Sequence, residues 1–345
     1  MLSIKTKEGK KAMHVKPWEW MVKPTPQEEW IEGKGLLSWL SFFSVALGAG
    51  MYFVATLVNY PWAMVAGYIV CLVIGGGTKV IDLGQPKRAW RMLLNYDGEG
   101  GLLDAMLLLF KSPKRFFKMF LNSGWRTSWI SRGMYFIGLF AIFGLVHIIL
   151  AFVANPAATS GIAALTSVTG IFAIIMAIVS VLVTVYAGLL IGYVRAIPLW
   201  GSALMPVFFI VSGFVGGAAL ALAGRINNAV TSAVIVQWLQ VLVLVYVGVV
   251  VVYLWNAWNQ SGTSKYSVRQ MMKAGGLLSI VFYVGVVILG ILLPVSIVIV
   301  SMVSAAATAP LLAVAIAGVI IGDLSMRFLI MKCGVYTPLI TTSPY

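Results

Sequence analysis

Long apolar runs separated by short polar breaks dominate the pattern along this chain. A helix rises 1.5 Å per residue, so about 20 apolar residues cross a hydrocarbon core. Eight runs reach that length, at 36–58, 62–83, 129–154, 161–194, 199–224, 230–258, 276–300 and 308–332. They predict an all-α polytopic membrane protein of about eight transmembrane helices, with both termini on one side. Runs four and six approach roughly thirty residues, which predicts tilt or projection beyond the bilayer. The 84–128 connection is too long for a simple turn. Within it Leu102 to Phe110 is apolar but too short to span, and Lys114-Arg115-Phe116-Phe117-Lys118-Met119-Phe120 sets cations and aromatics at helical spacing. This predicts an amphipathic segment lying in the interface between helices two and three, broadening that face into a platform.

Composition strengthens the membrane reading. Of 345 residues, 61% are hydrophobic and 10% charged, which excludes an ordinary soluble domain. The basic residues are distributed unevenly. If the N-terminal tail, the 84–128 loop, the 195–198 turn, the 259–275 loop and the C-terminus share a side, nearly every Lys and Arg lies there, and the opposite turns hold only Arg225. Positive residues are retained in the cytoplasm during insertion, so both termini are expected to be cytoplasmic, in a multi-pass protein of the cell (inner) membrane. The net charge of +14 is then explained by topology and by attraction to anionic membrane lipid or an acidic partner, with no nucleic acid implied. The tail (Lys5, Lys7, Lys10, Lys11, Lys16, Lys23) has no apolar segment of its own and is not expected to be a cleavable signal peptide. Its Pro17, Trp18, Trp20, Pro24, Pro26 and Trp30 suit either a clip on another subunit or an interfacial tryptophan anchor.

Several small residues recur within the runs: Gly48 and Gly50 in the first, Gly75-Gly76-Gly77 late in the second, and Ser212, Gly213, Gly216 and Gly217 in the fifth. They serve close helix packing or, as the alternative, the approach of a flat ligand. The glycine triplet should loosen or bend the second helix where its polar groups begin. Phe208-Phe209 before Ser212-Gly213 faintly repeats Phe42-Phe43 before Gly48 and Gly50.

The chemistry-bearing residues gather at one membrane border. Lys79 and Asp82 close the second run, Arg88 follows a break at Gly84 and Pro86, and Trp129, Ser131 and Arg132 open the third. Charges at the end of a span are costly to bury and so mark a site, a pathway or a docking surface. Asp323 and Arg327 lie four residues apart on one face of the eighth helix, as a structural ion pair or part of a proton path. His147, toward the far end of the third run, is a packing histidine or a proton relay. Cys71 and Cys333 form no metal-ligand spacing, so any iron–sulfur cluster must belong to a partner. With His14 in the tail, one membrane histidine cannot ligate haem between spans. No phosphate loop, triad or metalloprotease motif appears, so this chain is not expected to catalyse a reaction alone.

A quinone headgroup suits such a border. Its redox change moves two electrons and two protons, which calls for hydrogen-bond donors and a carboxylate in touch with water beside apolar grooves for the tail. Asp82 could exchange the proton while Lys79 or Arg132 polarises a carbonyl; equally, Lys79 could simply snorkel and pair with Asp82. Asp82, His147, Asp323 and Arg327 are the candidates for a proton path. A small-solute or ion transporter would instead place binding groups near the midplane at broken helices, and a purely structural anchor would need no working site.

At these motifs the sequence resembles the polysulfide-reductase membrane subunits, often called NrfD-like. The matching stretches are Asp82-Leu83-Gly84-Gln85-Pro86-Lys87-Arg88, Ser128-Trp129-Ile130-Ser131-Arg132-Gly133, and Arg195-Ala196-Ile197-Pro198-Leu199-Trp200 followed by Met205-Pro206-Val207-Phe208-Phe209 and Ser212-Gly213. The likeness covers about residues 35–332. It implies a haem-free, metal-free anchor built as two four-helix bundles (35–198 with its interfacial loop, and 199–332), flanked by tails 1–34 and 333–345. It further implies quinone (menaquinone or ubiquinone) in the first bundle, a ferredoxin-like iron–sulfur subunit docked on the same face, and often a molybdopterin catalytic subunit. Carried over by residue, it favours Asp82, Trp129, Ser131 and Arg132. Some relatives carry a quinone histidine in the first span, whereas Leu36 to Val58 here has none. Many relatives dock their partner in the periplasm; the charge bias here points to the cytoplasm.

Overall fold

In lipid a backbone must satisfy its own N–H and C=O groups, which a helix does within itself. The computed structural model describes residues 19–33, 35–83, 85, 88, 90–91, 93–96, 101–126, 128–153, 167–226, 229–273, 275–304 and 308–340. Among them, eight helices are long and apolar enough to cross a membrane: Gly35–Leu57, Pro61–Asp82, Trp129–Val153, Val168–Gly192, Leu204–Ala223, Ala233–Gln260, Gly276–Ser301 and Ala309–Lys332, taken below as spans one to eight.

Two boundaries differ from those expected. The fourth helix starts at Val168 and has 25 residues, because Ser167 caps it by accepting the Gly170 N–H at 3.0 Å; residues 154–166 lie outside the described residues. The fifth begins at Leu204, because the stretch before it folds over the helix ends. There Trp200 is fully buried and its indole donates to the Ile330 carbonyl at 2.7 Å. The sixth helix is the long one, with 32 residues from Ala229 to Gln260.

Spans one and five form the central seam. Span one packs on spans two, four and five; span five packs on one, four, six and eight; span three lies against four, and span seven against eight. Gly50 meets the Gly213 backbone and Gly217 meets the backbone of Gly50 and Met51, with no room for a methyl group at either position. Packing therefore accounts for these small residues. The two Phe-Phe segments noticed in the sequence both approach Arg327, through Phe43 and through Phe208 and Phe209, and Phe53 stacks on Phe214 at 4.5 Å.

The 84–128 connection contains two helices, Leu102–Lys111 and Pro113–Leu121, broken at Ser112 where Pro113 cannot donate to a continuing helix. Ala105 and Met119 are buried, whereas Leu103, Met106, Phe110 and Phe117 face outward. This leaves an apolar outer surface beside Lys111, Lys114, Arg115 and Lys118, the pattern of an interfacial segment. Gly84, Pro86 and Lys87 lie outside the described residues.

The first and last described segments, 19–33 and 333–340, meet over the basic side. Strand β1 (Thr25–Pro26) pairs antiparallel with β2 (Val335–Tyr336). The Gln27 N–H donates to the Gly334 carbonyl at 3.0 Å, its side chain donates to the Met331 carbonyl, and Lys332 pairs with Glu32 at 2.5 Å. Trp30 is set between Phe42 and Trp200. The described part of the tail thus grips this chain's own C-terminal segment; Lys5 to Trp18, including His14, lies outside the described residues.

Candidate functional site

The second span widens just before its charged end. From Val70 to Gly76 the backbone is π-helical, and it returns to α-helix over Gly77–Asp82. A π-turn inserts a residue and resets the direction of everything after it. The glycine triplet permits this: Gly75 lies against the Val45 backbone, and the Ser41 hydroxyl donates to the Gly75 carbonyl at 2.8 Å. Thr78 likewise donates to the Ile74 carbonyl at 2.7 Å. Carbonyls loosened by the π geometry are thereby satisfied.

The reset directs Lys79 and Asp82 toward the first span. Lys79 Nζ lies 3.0 Å from Asp82 Oδ2 and donates to Ser38 Oγ at 3.1 Å, while the Ser38 hydroxyl donates to the same carboxylate. Lys79 also stands 5.1 Å above the Phe42 ring. The Lys79 and Asp82 side chains retain 24% and 17% exposure, so the carboxylate is held by Lys79 and Ser38 and is still reachable. Sequence reasoning missed Ser38, whose only signal was its place at the border of span one. Chemically, the group is a partly exposed carboxylate beside an ammonium and a hydroxyl donor at an apolar border.

Trp129, Ser131 and Arg132 make a second group, at the start of span three. The Arg132 guanidinium lies 4.4 Å over the Trp129 ring, and it donates to the Trp125 carbonyl at 2.8 Å and the Arg126 carbonyl at 3.0 Å. Those contacts fasten the turn that feeds the helix. Ser131 is buried, and Gly133 packs directly on the Tyr186 ring. Trp129 also lines a cleft of about 700 Å³ with Tyr193, Arg195, Pro198 and Gln260, between the ends of spans three to six. The Arg195 motif was visible in the sequence; the cleft required the fold. Arg88 is exposed, its N–H donating to the Gln85 carbonyl at 3.0 Å.

The eighth-span pair lies inside the seam, with Asp323 and Arg327 each 2% exposed. Arg327 Nε is 3.0 Å from both Asp323 oxygens, Nη1 donates to the Phe42 carbonyl at 3.3 Å, and Nη2 donates to Ser212 Oγ at 2.5 Å. The guanidinium also lies 4.4 Å over the Phe209 ring. Spans eight, one and five are therefore joined at one cation. Phe42 stands between the two ionic groups, with its ring under Lys79 and its carbonyl on Arg327. His147 is separate: its Nδ1 shares a hydrogen bond of 2.9 Å with the Tyr52 hydroxyl, which also donates to the Gly144 carbonyl at 3.1 Å. It is buried in the packing of spans one and three.

A family model described as polysulphide reductase, NrfD matches residues 100–339, more than half of the chain. The match takes in Trp129, Ser131, Arg132, Asp323 and Arg327, and stops short of Lys79 and Asp82. Comparison with curated proteins gives no match.

Proposed function

The chain belongs to the polysulphide reductase NrfD family, and from that premise we propose that it is the haem-free membrane anchor of a respiratory oxidoreductase, exchanging electrons between the quinone pool and an iron–sulfur partner subunit. The observation that carries this reading is the Lys79, Asp82 and Ser38 group, set at a membrane border by a π-helical turn. Quinol oxidation releases two electrons and two protons. In this proposal Asp82 accepts a proton from a quinol hydroxyl, and Lys79 and Ser38, released from the neutralised carboxylate, turn to the substrate oxygen. The two electrons pass to clusters in the partner, water at the border takes the proton onward from Asp82, and the second quinol hydroxyl then releases its proton by the same route.

The remaining assignments belong to the same proposal: a first bundle at 35–198 that carries the quinone, a second at 199–332, partner docking on the basic face, and that face in the cytoplasm. Trp129, Ser131 and Arg132 shape the border beside the site, and Arg88 extends its basic surface. Asp323 with Arg327, and His147, are the groups through which proton movement would be coupled. A transporter would normally show broken helices near the bilayer midplane with binding groups there, whereas the described spans run through with local π-helical widening and the Lys79 and Asp82 group lies at one border, which supports the anchor.

The test is Asp82→Asn in the assembled complex. Quinol-dependent reduction of the partner's clusters should fall by about a hundredfold, the scale of a lost general base, with subunit composition unchanged. Unaltered turnover would leave the chain a structural anchor or move the quinone to the cleft beside Trp129.

A further inference from the structure

The surface helix Gly262–Lys273 turns back from the end of span six. Its buried side holds Thr263, Ser264, Ser267, Val268 and Met271, which fixes Lys265 and Arg269, one turn apart, on the opposite edge. Both reach a single aromatic ring: Lys265 Nζ is 5.0 Å and Arg269 Cζ 5.5 Å from the centre of Trp258, in the last turn of span six. Among the described residues, no carboxylate lies within ion-pair distance of either cation. Two like charges gathered on one indole repel each other, and an anion placed between them would relieve that repulsion.

Trp258 is also the wall between two concavities. On its polar side a pocket of about 410 Å³ is lined by Lys265, Tyr266, Arg269 and, from the N-terminal segment, Pro24. On its other side a groove of about 370 Å³ is lined by Leu254, Trp255, Val268 and Met272. The groove is almost wholly apolar, Trp255 is 72% exposed, and tryptophans at a span's end mark the headgroup level of a bilayer. A cationic pocket and an apolar groove that share one tryptophan at that level match an amphiphile with an anionic head and a hydrocarbon tail.

We infer that this is a binding site for one anionic phospholipid of the leaflet on the basic side. The phosphate sits between Lys265 and Arg269, and an acyl chain follows Trp258 into the groove. Because Pro24 lines the same pocket, the bound lipid would also brace the N-terminal segment. This site is distinct from the proposed quinone group and does not depend on it.

To test this, the full chain with its co-purifying subunits is titrated with phosphatidylglycerol or phosphatidylcholine of identical acyl chains and examined by native mass spectrometry. Wild type should retain phosphatidylglycerol at concentrations about thirtyfold lower than phosphatidylcholine, the scale expected for two cations at a bilayer surface. That preference should vanish in K265Q/R269Q and persist in K114Q/K118Q, which alters the other basic helix. Arg269 is exposed, so R269Q alone serves as a well-folded check and should lose part of the preference. Equal retention of the two lipids by wild type, or an unchanged preference in K265Q/R269Q, would overturn the site. A double variant that keeps its lipid preference but sheds a co-purifying subunit would assign the cations to an acidic protein partner instead, and would overturn it equally.

Discussion

Arg327 carries four demands at once: a carboxylate, a backbone carbonyl, a serine hydroxyl and an aromatic face. A buried ion pair adds little net stability over apolar packing, but removal of one partner strands a charge and costs about 3–5 kcal/mol. Arg327→Met should therefore lower the unfolding temperature of the purified protein sharply, and the double variant D323L/R327M should recover much of the loss. Arg327→Lys should also be harmed, because a single ammonium cannot replace a planar fork that bonds in several directions. Thermal unfolding in mild detergent measures all three, and wild-type behaviour of R327M would detach the pair from the stability of the seam. The pairing of Asp323 with Arg327 was readable from their spacing of one helical turn. Its partners Phe42 and Ser212 were not, since they are 285 and 115 residues away in sequence.

Within an element, the π-helical stretch of span two decides where the charged border points. Adding a Cβ at Gly75 brings it 2.5 Å from Val45 Cγ2 and 2.7 Å from the Val45 backbone nitrogen, whereas at Gly77 nothing lies within 4 Å. Gly75→Ala should therefore destabilise by about 1–3 kcal/mol, the usual cost of overpacking. Gly77→Ala should be neutral or stabilise by up to about 1 kcal/mol through helix propensity. Paired thermal unfolding of the two variants checks this, and an equal loss in both would assign the triplet to backbone flexibility. The triplet's presence foretold a loosened helix. Which glycine is confined by its neighbour became clear only with the first span in place.

At the scale of the whole molecule, the first and last described segments and the 193–203 turn close the basic face as one layer. Trp200 is its keystone in the literal sense of contact: Trp30 meets its edge at 5.7 Å, Gly334 lies beneath its ring, and its N–H bonds Ile330. Trp200→Ala should cost about 3–5 kcal/mol, as for other buried tryptophans, and should expose the C-terminal segment to protease. Limited proteolysis followed by mass measurement reads this directly, and wild-type resistance would show that β1 and β2 hold the ends without it.

The sequence by itself determined the eight spans, the uneven distribution of basic residues, the amphipathic pattern within the 84–128 connection and the pairing of Asp323 with Arg327 one helical turn apart. Each is a local property, set by the apolar length needed to cross lipid or by the period of a helix. The Lys79 and Asp82 pair belongs to this class. Only the tertiary structure decided what was non-local: Ser38 on Asp82, Phe42 between the two ionic groups, the seam of Gly50 with Gly213 and Gly217, and the tail folded onto its own C-terminus. Helix-to-helix contacts in lipid depend on shape and on a few polar bonds rather than on a hydrophobic pattern, since the solvent is as apolar as the side chains. Hydropathy therefore marks where the chain crosses the membrane and is silent about which faces meet.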